Sequence, residues 1–165
     1  MTGRARFWIP SALSPAEYHS LLFAVAAVSS TFGMVQRSSR AWDTYPESTI
    51  ELLNRLEPYL VDISEVTEWP GTKTCGSAVS RFLFKSVEQA ISIVAQATDS
   101  LWDWANTRLP DDLHFLRMNG SVVMGSTWCT LDAWLDIDRE EEIHIRQKLM
   151  KTISLVRAVD DYDEA

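Results

Sequence analysis

The chain has 165 residues, the usual size of one domain, and its composition, 46% hydrophobic and 23% charged, excludes a disordered protein. Its net charge of −8 comes from 23 acidic and 15 basic residues without a basic stripe, which argues against nucleic-acid binding. Such an acidic chain favours a basic protein partner or simply solubility. The longest apolar stretch, residues 21–28, is too short to span a bilayer, so no membrane role is expected.

The chain has two cysteines, Cys75 and Cys129, fewer than a secreted disulfide scaffold carries. We expect free thiols in a reducing compartment, the cytoplasm, with a single disulfide as the alternative. Residues 1–10 lack the long apolar segment of a signal peptide and are typical of folded structure.

The first segment predicts a strand followed by a capped helix. Residues 4–10 are β-prone and end at a proline, which suits an edge strand. Ser14 and Glu17 have the spacing of a capping box, and Pro15 fits the first helical position. Apolar residues at helical spacing then predict a helix that ends near Ser30.

The middle of the chain predicts two strands and a helix. Residues 31–36 form the first of these strands, and a proline begins a predicted helix over residues 47–56. Residues 61–74 contain the turn signal Trp69-Pro70-Gly71, which predicts a loop. Residues 78–85 are rich in β-formers and predict a buried strand.

A long helix is predicted next, because Ser86 and Gln89 have the spacing of a second capping box. Apolar residues then recur at helical spacing as far as Trp104, which gives an amphipathic helix of about 20 residues. The helix is expected to end before Pro110.

The C-terminal part predicts a hairpin, a third strand and a last helix. Asn119-Gly120 lies between two β-prone runs and indicates a type I′ hairpin turn. Residues 132–137 alternate as a strand with Trp134 on one face and the aliphatic residues on the other. Asp138 and Glu141 have capping-box spacing and predict a helix through about residue 156.

This order of elements predicts an α+β fold with a mainly antiparallel sheet and its helices on one face. We assign residues 1–159 to a single domain and residues 160–165 to an acidic tail.

Catalytic candidates are few. Cys129 is a nucleophile candidate if His114 acts as its base and Asp111 or Asp112 orients the imidazole. These residue types occur together in most chains, so a small buried cysteine beside a partly exposed strand histidine is the alternative. His144 follows Glu141 at Glu-x-x-His spacing, but no second copy of this motif exists. We therefore predict neither a metal site nor a cofactor.

Three tryptophans are candidates for a protein-binding surface. Trp69 and Trp128 lie in predicted loops, and Trp102 falls off the apolar face of its predicted helix. Aromatic anchors of this kind are enriched at interfaces, although ordinary core packing is the alternative. The acidic neighbours that we group with them are Glu68, Asp103 and Asp132.

The C-terminal half carries a resemblance. Residues 109–117 read Leu-Pro-Asp-Asp-Leu-His-Phe-Leu-Arg, residues 119–121 Asn-Gly-Ser and residues 132–135 Asp-Ala-Trp-Leu. With the opening Phe7-Trp8-Ile9-Pro10 strand and capped helix, they resemble small bacterial proteins of uncharacterised activity, some labelled stage III sporulation protein AH-like. The resemblance implies a bacterial, intracellular α+β domain and no established activity. That group is expected to have Ala-His-Glu near residues 128–130, where this chain has Trp-Cys-Thr, so no role of that histidine carries over.

The sequence thus favours a non-enzymatic, acidic protein-binding domain. Its most specific form is a bacterial immunity or inhibitor protein that neutralises a basic toxin or enzyme, since acidic complementarity speeds encounter with such a surface. Two alternatives stay open: a small hydrolase using Cys129 and His114, and a subunit of a homo-oligomer.

Overall fold

A computed structural model describes residues 3–36, 45–105 and 108–159. The helices are α1 (Pro15–Ala26), α2 (Glu47–Leu56), α3 (Glu88–Ala97) and α4 (Arg139–Lys148). The strands are β1 (Ala5–Trp8), β2 (Thr31–Gln36), β3 (Leu60–Val66), β4 (Glu68–Trp69), β5 (Thr72–Lys73), β6 (Val79–Lys85), β7 (Asp111–Leu116), β8 (Val122–Thr127), β9 (Asp132–Ile137) and β10 (Val156–Arg157). None of the helices in the described ranges has the length and hydropathy needed to cross a membrane.

Eight strands form one sheet in the order β10-β1-β9-β8-β7-β2-β6-β3. Every neighbouring pair in it is antiparallel. The short strands β4 and β5 pair only with each other and form a separate hairpin. The predicted class, α+β with a mainly antiparallel sheet, is confirmed.

The helices form a layer over one face of the sheet. α1 contacts α4 on one side and α3 on the other, and α3 contacts α2. Their buried apolar side chains meet one set of alternate strand residues in the main core. At its centre Phe32 stacks on Phe84 with ring centroids 5.4 Å apart and lies 5.9 Å from the ring of Phe115. Aromatic rings at such distances add to the free energy gained by burial.

The opposite face of the sheet carries a smaller apolar cluster, formed by Val35, Trp69 and Val79 with Val66 packed against it. The β4–β5 hairpin supplies Trp69, so this hairpin lies over the face that the helices leave free. Its Pro70-Gly71 turn, in which Gly71 has a φ of 78°, is the turn that the sequence predicted.

Two predicted capping boxes are present. Glu17 N–H donates to Ser14 Oγ over 3.2 Å, and Ser14 N–H donates back to Glu17 Oε2 over 2.8 Å. The same reciprocal bonds, both 2.9 Å, join Asp138 and Glu141 at the start of α4. Local chemistry therefore determines where both helices begin.

The predicted long helix is wrong in both its start and its length. The hydroxyl of Ser86 donates to the carbonyl oxygen of Ala26 and does not cap the helix. Helix α3 begins after Val87 without a side-chain cap. At the other end Thr98 is extended, its Oγ1 donates to an Asp103 carboxylate oxygen, and the same Oγ1 accepts Ser100 N–H. These short-range bonds compete with the helix and end it at Ala97.

The C-terminal elements correct two further predictions. The hairpin at Asn119-Gly120 exists, but only Gly120 has a positive φ, and Arg117 N–H donates to the carbonyl oxygen of Ser121, so the turn is longer than a two-residue type I′ turn. The last helix ends at Lys148, not near residue 156, and Val156–Arg157 instead forms strand β10. Strand β9 matches its prediction, and the predicted tail at 160–165 lies outside the described residues.

The sheet edges are the largest difference from the sequence prediction. β1 is not an edge strand, because it lies between β9 and β10. The edge is formed instead by β3, a seven-residue strand of which all but Leu60 lie in residues 61–74, which were predicted to be a loop. Pairing with β6, distant in sequence, makes this segment a strand.

We expect Gly125→Ala to destabilise the protein, because a Cβ at this position would overlap the indole ring of Trp134 on the neighbouring strand. Overpacking of this kind costs about 1–3 kcal/mol of unfolding free energy. Urea unfolding followed by tryptophan fluorescence measures it. Gly3→Ala is the matched control, since a Cβ there meets nothing within 4 Å. Equal stability of the two variants would contradict the close packing of Trp134 on β8.

Candidate functional site

A buried carboxylate joins three parts of the chain. Asp112 lies in β7 with a φ of 54° and is buried. Its Oδ2 accepts the Nε1–H of Trp69 over 2.8 Å, and its Oδ1 accepts the backbone N–H of Trp128 over 3.1 Å. Asp112 therefore holds the β4–β5 hairpin and the segment after β8 onto the sheet, which is a structural role.

His114, two residues along β7, is fully buried. Its Nδ1 lies 2.8 Å from the carbonyl oxygen of Asp112, so Nδ1 carries the proton and donates it. Burial lowers the pKa of His114 to about 4; the bond to Asp112 raises it, and the positive charge of Arg81 lowers it further. The imidazole is thus neutral at pH 7.

The residues of the predicted catalytic site lie at different depths. Cys129 is exposed, whereas His114 and Asp112 are buried, and no hydrogen bond among the described residues joins the thiol to either. Both cysteines are free, as predicted. His114 was expected to be partly exposed and is not, since Gly33 on the adjacent strand leaves room for its ring inside the sheet packing. In the described ranges no three His, Cys, Asp or Glu side chains converge on a point that could hold a metal ion.

The predicted tryptophan interface is distributed over two sides of the sheet. Trp69 is 4% exposed and belongs to the cluster under the hairpin, so its indole does not reach the surface. Trp102 packs against the main core on the helix side and donates its Nε1–H to the carbonyl oxygen of Ser11 over 2.6 Å. Trp128 is half-buried. Its backbone N–H and the indole N–H of Trp69 donate to the same carboxylate, that of Asp112. The three acids grouped with them, Glu68, Asp103 and Asp132, are exposed.

The open edge of the sheet is the feature that sequence reasoning missed. Among the described strands, β3 pairs with β6 alone. Two of its aliphatic side chains are half in solvent: Val61 is 51% exposed and Ile63 is 52% exposed. An unpaired strand with exposed aliphatic residues is a place where another chain can add.

The register shows which backbone groups of β3 are unpaired. Ser86 N–H donates to the carbonyl oxygen of Ser30, so Phe84 and Phe82 turn their backbone groups towards β2. The residues between them, Leu83 and Arg81, therefore face β3, where their partners are Asp62 and Ser64.

It follows that the N–H and C=O groups of Ile63 and Glu65 point away from the sheet. No backbone hydrogen bond outside the regular elements of the described chain involves either residue. β3 thus presents two residues whose backbone groups are free to pair.

An apolar groove lies beside this edge, between the end of α2 and the helix-facing side of β3. Its volume is about 200 Å³. The side chains that line it are Leu53, Asn54, Glu57, Leu60, Ile63, Phe82 and Phe84. Ile63 therefore belongs to both the edge and the groove.

Six carboxylates lie on α2 and directly after it, on β3, and in the β4–β5 hairpin. They are all exposed and, among the described residues, take part in no ion pair: Glu47, Glu51, Glu57, Asp62, Glu65 and Glu68. The basic residue of α2, Arg55, donates to Gln96 over 2.6 Å instead. We call the surface formed by β3, the groove and these six carboxylates the acidic edge.

Three acids outside this surface, one on β9 and two on α4, are paired with arginines. Arg6 pairs with Asp136, Arg117 with Glu141 and Arg146 with Glu142, at 2.8, 2.5 and 2.7 Å. None of the six carboxylates of the acidic edge has such a partner within the described chain.

The chain matches no protein-family model, no curated protein and no solved structure among those compared with it. The resemblance to small bacterial proteins therefore stays a prediction from its motif residues, and the function has to be argued from the geometry.

The buried His114 predicts a specific pH dependence of stability. Its folded pKa of about 4 lies below the ordinary 6.5, so between these values the unfolded chain binds a proton that the folded protein does not. The unfolding free energy is therefore highest above pH 6.5 and falls as the pH drops towards 4, by at most about 3 kcal/mol from this residue. Urea unfolding at pH 7, 6 and 5 measures the slope.

His114→Asn keeps a donor near the Nδ1 position and removes the titration, so its slope should be shallower than that of the unmodified protein. His144→Asn, which replaces an exposed helix histidine, is the matched control for the loss of a histidine. An equal slope in the protein and in His114→Asn would show that the imidazole is not buried in its neutral form.

Proposed function

We propose that this domain binds a basic protein partner at the acidic edge. The observation that carries the proposal is that carboxylates without ion pairs coincide with a strand that is paired on one side only, both within the described residues. A partner that offers only positive charge has no reason to prefer this place over other acidic residues. A partner that also brings apolar and backbone groups finds all three kinds of contact here.

Charge supports the proposal through the kinetics of association. Carboxylates that form no ion pair within the described chain create a negative potential that extends about one Debye length, roughly 8 Å at physiological salt. Such a field attracts a basic surface and speeds encounter, while the exposed Val61 and Ile63 supply apolar area for the bound complex. These two residues take the role that the sequence assigned to Trp69, Trp102 and Trp128.

In its most specific form, the partner is a basic bacterial toxin or enzyme that the domain neutralises. The resemblance to small bacterial proteins and the acidity of the edge support this form. The exposed, free thiols of Cys75 and Cys129 suit a reducing compartment such as the cytoplasm, where an immunity or inhibitor protein would meet its target.

We expect binding of a basic peptide to depend on where the carboxylates lie on the protein and not on its net charge. The probe is the heptapeptide Lys-Val-Lys-Val-Lys-Val-Lys, labelled for fluorescence anisotropy, and its counterpart has glutamate in place of lysine. We expect the lysine peptide to bind and the glutamate peptide not to. The triple variant Glu51→Gln/Glu57→Gln/Asp62→Asn should weaken binding about tenfold at low salt, since each lost charge contributes a fraction of a kcal/mol.

The matched control is Glu88→Gln/Asp132→Asn/Glu140→Gln, which removes the same charge from exposed positions elsewhere. It should change the affinity less than twofold. Equal weakening by the two triple variants would show that the affinity depends on net charge alone. It would contradict a site at the acidic edge. Equal binding of both peptides would contradict the basic nature of the partner.

A further inference from the structure

We infer that the partner binds by adding an extended strand to β3 and placing one apolar side chain in the groove between α2 and β3. This inference rests on the proposed function and specifies how the acidic edge recognises its partner. The occupant is a basic segment in which lysine or arginine residues alternate with aliphatic ones.

The backbone of β3 supplies the first argument. The outward N–H and C=O groups of Ile63 and Glu65 are two residues apart, which is the spacing at which one strand pairs with another. Strand addition satisfies these groups with main-chain hydrogen bonds, and the affinity of such complexes comes from those bonds. A helix or a flat surface laid on this edge would leave them without partners.

The groove supplies the second argument. Its volume of about 200 Å³ is smaller than the roughly 300–1,000 Å³ of small-molecule sites, so it fits a side chain better than a ligand. A strand added to β3 lies about 4.8 Å from it, and alternate side chains of that strand project to the helix side. One of them then lies beside Ile63, at the mouth of the groove.

The charges supply the third argument. Asp62 and Glu65 belong to opposite sides of β3, since Val66 packs on the hairpin side while Ile63 lines the groove. Glu57 lies at the groove itself. A partner strand whose aliphatic side chains lie on the groove side turns its alternate basic side chains to the hairpin side, the side of Asp62.

The same charges disfavour a second copy of this chain as the occupant. Two β3 strands paired with each other would bring Asp62 and Glu65 of both copies together along one short edge, and like charges on neighbouring strands are destabilising. The bulge between Leu60 and Asp62 further limits the regular length of the edge. The charges of the acidic edge thus favour a basic strand over a second copy of this chain.

The first test compares two substitutions at one position. Glu65→Gln and Glu65→Pro both remove the charge, but only proline removes the outward N–H. Proline is tolerated where an edge strand turns its N–H to solvent, and circular dichroism and urea unfolding check that the variant folds. Against the lysine–valine heptapeptide we expect Glu65→Gln to lose less than threefold in affinity and Glu65→Pro to lose at least tenfold. Equal losses would overturn strand addition.

The second test leaves the protein unchanged. In an extended peptide the valine amides point to one side and the lysine amides to the other. N-methylation of the valine amides in one peptide and of the lysine amides in another should therefore have unequal effects: one peptide loses at least tenfold in affinity and the other keeps its affinity within threefold. Equal affinities of the two methylated peptides would overturn the inference even if Glu65→Pro failed to fold.

The outcomes separate the inference from the proposed function. Strand addition alone is overturned if the charge triple variant weakens peptide binding while the proline and glutamine variants bind equally and the two methylated peptides bind equally. Insensitivity to the charge triple variant overturns both. A dimer on size-exclusion chromatography that Glu65→Pro converts to a monomer, without peptide binding, replaces the basic partner by a second copy.

Discussion

A β-sheet has to satisfy or protect the hydrogen-bonding groups of its two outermost strands, and the rest of this structure depends on how that is done. At one edge β10 is only two residues long, whereas at the other β3 is seven residues long and paired on one side. The helix layer covers one sheet face, and where α2 ends over β3 it leaves a groove beside the unpaired backbone. Edge, groove and carboxylates therefore occur together, and the proposed function follows from their coincidence.

The opposite face of the sheet explains why this edge can be a rigid template. Asp112 ties the β4–β5 hairpin to β7 through Trp69, and Val66 at the end of β3 packs into the cluster under that hairpin. His114 and Trp134 lie against glycines of neighbouring strands, where no additional atoms fit. A preformed strand loses little conformational entropy when a partner pairs with it, so more of the interaction energy contributes to affinity.

Features whose cause is local could be predicted from the sequence. The capping boxes at Ser14 and Asp138 need only residues three positions apart, and β9 needs only alternation. β3 was missed because its strand state comes from pairing with β6. Trp69 was misplaced because its partner, Asp112, is 43 residues away. The candidate site consequently escaped sequence reasoning, although the β-branched residues Val61, Ile63 and Val66 were a signal that favoured a strand.

Amide hydrogen exchange on the free protein tests the central claim, the open backbone of β3, most directly. We expect an alternation along the strand: the amides of Ile63 and Glu65 exchange rapidly, and those of Asp62 and Ser64, which pair with β6, are protected. Protection of Ile63 and Glu65 to the level of Ser64 would show that the edge is already covered in the free protein, and would contradict its use as a binding site.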